Sequence, residues 1–160
     1  MSNEPSELDL AYVAGFFDGE GSVAIRKSSP MTSNQNFRYN LLAVITNTNL
    51  PVLEHIQSLF GGVIKGRKWG PGMRRQGYDL YWSASSGRKV LELLLPYLRI
   101  KGGEAGLGIA FQEIVNMTTK TGNQYTNGLS QLDLDVREAF YQASKKLKHP
   151  VIAGEGEKDE

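Results

Sequence analysis

Apolar residues at helical spacing fill the stretch Leu8 to Val23 (L-D-L-A-Y-V-A-G-F-F-D-G-E-G-S-V), and the run stops at two carboxylates separated by glycine, Asp18 and Glu20. Ser6 with Asp9 three residues later has the form of a capping box, and Glu7 puts an anion in the first turn, where the helix dipole favours it. Glycines break the far end, so the pattern predicts a helix of about three turns. Ala11, Gly15 and Gly19 recur every four residues and leave one stripe nearly bare, while Leu10, Val13, Phe16 and Phe17 cover other sides. Small residues at that interval let two helices approach closely, and the run is too short to span a bilayer. The stripe predicts a partner helix, with the carboxylates where the pair ends.

The period then changes. Ser22 to Lys27 alternates as a strand, Ser28 to Asn36 is a polar turn region containing Pro30, and Asn36 to Thr46 reads as a second strand. Phe37, Tyr39, Leu41, Ala43 and Ile45 fall on one face of it and Arg38 and Asn40 on the other, because successive side chains point oppositely. Asn49 caps a predicted helix through Phe60, with Pro51 in its first turn and Leu53, Ile56, Leu59 and Phe60 as its apolar stripe, closed by Gly61 and Gly62. A second hairpin follows, from Val63 to Trp69 and from Gly77 to Ser85 around Gly70, Pro71 and Gly72. Its first strand has Lys65, Arg67 and Trp69 on one face.

Ser86 is the predicted cap of a helix bearing Val90, Leu91, Leu94 and Leu95, disturbed by Pro96. Two more helical patterns, Glu104 to Met117 and Asp133 to Leu147, flank the polar stretch Thr118 to Gln131. The expected organisation is one domain over residues 1–150, in the order αββαββα plus two trailing helices, and a disordered acidic tail over 151–160.

Composition narrows the chemistry. The 160 residues, 40% hydrophobic and 22% charged, suit a folded core. With no cysteine and only His55 and His149, thiolate and imidazole metal clusters are disfavoured, so any metal is expected on oxygen. No signal peptide or long apolar run is visible, and the expectation is a soluble intracellular protein without membrane partners. Net charge is only +1, yet Ala24 to Tyr81 holds eight Lys/Arg against Glu54 and Asp79, and Glu155 to Glu160 holds four acids and one lysine. A locally basic middle fits a one-sided electrostatic footprint, although a solvated, loop-rich surface would account for part of it.

Val13 to Gly21 (V-A-G-F-F-D-G-E-G) resembles the LAGLIDADG signature, matching Ala14, Gly15, Asp18 and Gly21 outright. The resemblance implies a single-motif homing endonuclease of the homodimeric type, an α+β fold whose four antiparallel strands form a saddle over DNA with helices on the other face. It further implies double-strand cleavage of a long pseudo-palindromic site across the minor groove, leaving staggered 3′ ends. A twisted two-stranded ribbon independently fits the major groove.

Glu20 stands where that family places its metal-binding acid, and Gly19 where a backbone carbonyl joins it; Mg²⁺ is the implied cofactor, with Mn²⁺ or Ca²⁺ able to substitute in binding. An isolated D-G-E-G would read only as a polar helix terminus. Asp18 is expected to form hydrogen bonds at that terminus and, with Ala11, Gly15 and Gly19, to lie at the subunit interface. Lys101, shortly after P-Y-L-R-I-K begins, corresponds to a family lysine near the active site, and Asn47 to a position that orders active-site water. Without the resemblance they read as a surface lysine and a turn residue. Strand parity and ribbon tips nominate Arg26, Ser28, Arg38, Asn40, Lys65 and Arg67 for DNA contact, followed by Arg74, Gln76 and Tyr78. Two functions compete: a metal-dependent nuclease, and a cleavage-inactive relative that binds DNA or RNA as a splicing maturase or regulator.

Overall fold

In the computed structural model, which describes residues 4–32, 36–67, 70–72, 75–119 and 129–148, the elements run α1 (Glu7–Glu20), β1 (Gly21–Ser28), β2 (Arg38–Asn47), α2 (Leu50–Phe60), β3 (Val63–Gly66), β4 (Tyr78–Ser83), α3 (Ala84–Leu94), a 3₁₀ turn (Leu95–Tyr97), α4 (Gly102–Thr119) and α5 (Gln131–Lys148). This is the expected α+β order, αββαββα plus two trailing helices. The sheet is wholly antiparallel with strand order β1-β2-β4-β3.

Local chemistry places the starts. The Ser6 hydroxyl accepts the Asp9 N–H at 3.2 Å while Asp9 Oδ2 accepts the Ser6 N–H at 2.9 Å, completing the capping box of α1. Asn49 Oδ1 accepts the Val52 N–H at 3.2 Å, and Pro51 occupies the first turn of α2, where a missing N–H costs nothing. At the other end Gly61 takes φ +66°, a left-handed conformation that favours glycine, and its N–H closes on the Gln57 carbonyl at 2.7 Å. α3 corrects one expectation. Its N-cap is Ser83, because β4 runs straight into the helix through Ala84 at φ +50°. Ser86 instead folds back, accepting the Ser83 N–H at 3.2 Å and donating to the Ser83 carbonyl at 2.8 Å.

The core follows strand parity. Val23 and Ile25 of β1, Tyr39, Leu41, Ala43 and Ile45 of β2, and Leu80 and Trp82 of β4 are buried against Val13 and Phe17 of α1, Leu53 and Ile56 of α2, Leu91 and Leu94 of α3, and Phe111 of α4. Helices therefore cover one face of the sheet. Phe37, expected on the inner face of the second strand, precedes β2 and is 46% exposed. Trp82 is core, and its indole N–H is satisfied by the carbonyls of Phe60 and Gly61 at 3.1 and 3.0 Å. Close approach is needed at Gly21, where a Cβ would lie 2.5 Å from the Phe17 carbonyl oxygen; only glycine permits α1 to pass directly into β1. Trp69 and the acidic tail lie outside the described residues. No helix among the described residues is long and apolar enough to cross a membrane.

Candidate functional site

The open face of the sheet carries the even-numbered positions of β1 and β2. The register pairs Arg26 with Asn40 and Ser28 with Arg38, so these four predicted contact residues share one patch at the far end of the β1–β2 ribbon. Arg26, Ser28 and Asn40 are exposed and Arg38 is half-buried. Across the sheet Lys65 of β3 pairs with Asp79 of β4, which pairs in turn with Thr46 of β2. Lys65 lies over the Tyr81 ring at 5.3 Å, and the bond to that tyrosine raises the lysine pKa. Arg67 continues the same face, its Nε 3.3 Å from Asp79 Oδ2, while Thr46 donates to Asp79 Oδ1 at 2.6 Å. Asp79 thus orients the arginine on a face that also carries the part-exposed Ala24, Leu42, Val44 and Tyr81.

The register places one nominated contact elsewhere. Tyr78 pairs with Asn47 and Gly66 and shares the parity of Leu80 and Trp82, so it packs against the core rather than on the open face. Gln76 turns its amide nitrogen onto the carbonyls of Arg67 and Gly77, at 2.7 and 2.8 Å, and ties the hairpin together. Arg74 lies outside the described residues.

At the opposite end of β1, helix α1 delivers its two acids to different places. Asp18 is 8% exposed and accepts the backbone N–H groups of Arg99, Ile100 and Lys101 at 2.7, 3.1 and 2.9 Å. Burial by itself pushes this carboxyl up, but the three N–H donors and the Lys101 charge outweigh it and hold it below its ordinary value. Asp18 therefore latches α1 to the segment leading into α4. Its expected place on the paired face of the helix is corrected, since the side chain turns inward. Lys101 Nζ donates to the Asp18 carbonyl, one of the last-turn carbonyls that lack an intrahelical partner.

Glu20 is exposed and, among the described residues, has no hydrogen bond or ion pair. Gly19 beside it is exposed in the last turn of α1. Asn47 ends β2 two residues past the last β1–β2 pair, Gly21 with Ile45, and so reaches the same end of the sheet as Glu20; its Oδ1 accepts the Asn49 N–H at 2.9 Å. No group of three or more His, Cys, Asp or Glu able to hold a metal occurs among the described residues. The exposed Glu20 carboxylate and the neighbouring backbone carbonyls at the end of α1 are oxygen donors, the chemistry that suits a hard divalent cation. A crevice of about 670 Å³ lined by Asn40, Ser85, Arg88, Gln112 and Asn116 contains neither Glu20 nor Lys101. The free acid stands on open surface, an arrangement suited to an extended polymer more than to an enclosed small molecule.

Ala11, Gly15 and Gly19 are exposed, joined by Leu8 (83%) and Tyr12 (50%) on the same side of α1. A Cβ built at Gly15 or Gly19 would meet nothing within 4 Å. Glycine inside a helix costs about 1 kcal/mol relative to alanine, and nothing among the described residues requires it at these positions.

Sequence reasoning did not connect Lys27, Tyr39 and Glu138. Lys27 occupies an inward position of β1, in line with Val23 and Ile25, and its ammonium meets Glu138 of α5 at 2.6 Å; the Tyr39 hydroxyl donates to the same carboxylate. A charged residue at an inward strand position is the signal that a partner exists, though not which one.

The family model described as LAGLIDADG endonuclease matches residues 13–99. Among solved structures, the homing endonuclease I-CvuI in complex with its target has a TM-score of 0.69 and 21% identity over 96% of this chain and 86% of that one. An archaeal intron-encoded homing endonuclease complexed with DNA has a TM-score of 0.70 and 17% identity over 88% and 84%. The homing endonuclease I-TnaI has a TM-score of 0.62 and 17% identity over 92% and 95%. No curated protein matches the sequence.

Proposed function

Because the chain belongs to the LAGLIDADG endonuclease family, we propose that it is a homodimeric, divalent-metal-dependent endonuclease that cuts a long, pseudo-palindromic DNA site. The observation that carries this reading is the exposed, uncommitted Glu20 carboxylate at the end of a helix whose small-residue stripe is left open. Pairing two such stripes along Ala11, Gly15 and Gly19 brings two Glu20 side chains to one axis and completes the oxygen set that one protomer only begins. Twofold symmetry then matches two half-sites of the duplex.

Glu20 and the Gly19 carbonyl would hold the metal, whose chemistry is activation of water and neutralisation of charge on the scissile phosphate. I-CvuI has been crystallised on its target with Ca and on a second target with Mg, the DNA there uncut. Lys101, fixed against the Asp18 carbonyl, keeps an ammonium near Glu20 to offset phosphate charge. Asn47 stands part-exposed at the same end of the sheet, where its amide would order water. Arg26, Ser28, Arg38, Asn40, Lys65 and Arg67 read bases and hold phosphates from the open face.

The test is incubation with randomised duplex DNA and Mg²⁺, comparing wild type with Glu20→Gln. Site-specific double-strand breaks lost in the variant support the nuclease. Sequence-selective binding without breaks in Mg²⁺, Mn²⁺ or Ca²⁺ replaces it with the cleavage-inactive binder, and selective retention of RNA over duplex DNA with the splicing role.

A further inference from the structure

The β1–β2 ribbon outruns the rest of the sheet. Pairing between β2 and β4 stops at Leu42 with Ser83, whereas β1 and β2 continue through Ile25 with Leu41, Arg26 with Asn40, Lys27 with Tyr39 and Ser28 with Arg38. A ribbon of two strands is only marginally stable by itself in water. This one nevertheless carries four of the nominated base contacts on its front, and base reading demands side chains held to a fraction of an ångström (about 0.5 Å) by what lies behind them.

What lies behind is α5. Glu138 accepts the Lys27 ammonium at 2.6 Å and the Tyr39 hydroxyl, and these two residues are a directly opposed cross-strand pair, so one carboxylate bridges both strands of the ribbon. Gln142, one turn further along α5, donates to Glu138 Oε1 at 2.8 Å and fixes the carboxylate's rotation. The Lys27 ammonium sits 4.5 Å from the Phe37 ring and 5.8 Å from that of Tyr141, which meets Tyr39 edge-on at 6.3 Å. Farther along the helix Lys148 donates to Ser22 at 3.0 Å, so α5 lies antiparallel along β1 from its end to its beginning.

We infer that Glu138 is a positioning residue for base recognition: by bridging Lys27 and Tyr39 it fixes the register and tilt of the ribbon whose opposite face presents Arg26, Ser28, Arg38 and Asn40. It touches no DNA. The inference rests on the reading of that face as a DNA-contacting surface. It departs from electrostatics in sign: removing Glu138 makes the chain more basic, which by charge alone strengthens binding to any duplex, whereas loss of positioning weakens discrimination.

The experiment compares wild type, E138A and the charge-swapped K27E/E138K chain in two measurements. The first is amide hydrogen exchange without DNA. In E138A the amides of residues 25–28 and 38–41 exchange at least about tenfold faster, those of residues 42–46 and 79–83 are unchanged, and the swapped chain regains protection. The second is binding selection from randomised duplex DNA. E138A loses about tenfold in selectivity at the base pairs read by the ribbon, with selectivity elsewhere in the site and total affinity retained, and the swapped chain recovers it. Unchanged exchange in E138A overturns the inference. So does a selection profile that is unaltered, or weakened uniformly across the site, while wild type selects normally. A wild type that selects no sequence overturns the DNA reading itself, and the recognition role of Glu138 falls with it.

Discussion

Lys101 donates two hydrogen bonds to Asp18, one from main chain to side chain and one from side chain to main chain: its N–H to Asp18 Oδ1 at 2.9 Å, and its Nζ to the Asp18 carbonyl. The two acids of the opening helix are thereby divided. Asp18 braces the segment that carries Lys101, and Glu20 is left exposed and uncommitted among the described residues.

Asp18→Asn is expected to destabilise the fold by about 2 kcal/mol in urea denaturation at neutral pH, because an amide cannot accept three N–H donors as a carboxylate does. The carboxyl is held below its ordinary 3.8 in the folded chain, so its contribution is present above that pH and lost as pH falls below it. In a pH series the wild type and Asp18→Asn converge toward the acid end.

Glu20→Gln is expected to leave unfolding free energy within about 0.5 kcal/mol of wild type, since the side chain is exposed and engages nothing among the described residues. Cleavage is lost while selective DNA binding persists. A variant that loses binding and cleavage together would make Glu20 a contact residue instead.

Gly15→Leu separates assembly from folding. The space beside Gly15 is open within the protomer, and leucine is the better helix former, so protomer stability holds or rises by about 1 kcal/mol. A side chain there keeps two α1 helices apart, and sedimentation shows a monomer where the wild type is a dimer.

Gly21→Ala acts in the opposite way. Its Cβ would fall 2.5 Å from the Phe17 carbonyl oxygen and 2.6 Å from the Phe17 ring, both fixed in the core. A loss of about 2 to 3 kcal/mol is expected in thermal or chemical unfolding, with dimerisation unaffected in the fraction that folds.

Acid should loosen α5. The Lys27 ammonium, the Tyr39 hydroxyl and the Gln142 amide hold the Glu138 carboxyl at about 2 against an ordinary 4.5. A depressed acid contributes stability that is complete above about pH 4.5 and is lost as pH falls toward about 2. Lys27, whose pKa is raised chiefly by the bond to Glu138, stays charged across that range, so the same pair is lost from its other side only as pH rises through the raised lysine pKa. Urea midpoints measured across the acid range fall more steeply for wild type than for Glu138→Gln.

Much of this arrangement was legible in the residues. Ser6 with Asp9 and Asn49 with Pro51 are local signals, and they start α1 and α2 where expected. The alternation of Tyr39, Leu41, Ala43 and Ile45 declares the inner face of β2, and with it the outward places of Arg38 and Asn40. Errors gathered where one residue of phase decides the outcome. Tyr78 belongs with Leu80 and Trp82, and only the β2–β4 register reveals it. Ser86 looks like a cap, yet the left-handed Ala84 starts the helix earlier, a choice made by the direction in which β4 delivers the chain. The bridge from Glu138 to Lys27 spans 111 residues, and no local pattern contains it.

The strict parity of the β1–β2 ribbon has an evolutionary consequence. Val23, Ile25, Tyr39 and Leu41 are committed to the interior, while Arg26, Ser28 and Asn40 are exposed on the other side of the same strands. Outward positions can therefore mutate one at a time at little cost in stability. If that outward face reads DNA as proposed, such a protein can drift to a new address on a genome by steps that each leave a folded molecule, the scaffold and the target being carried by alternate letters of one short sequence.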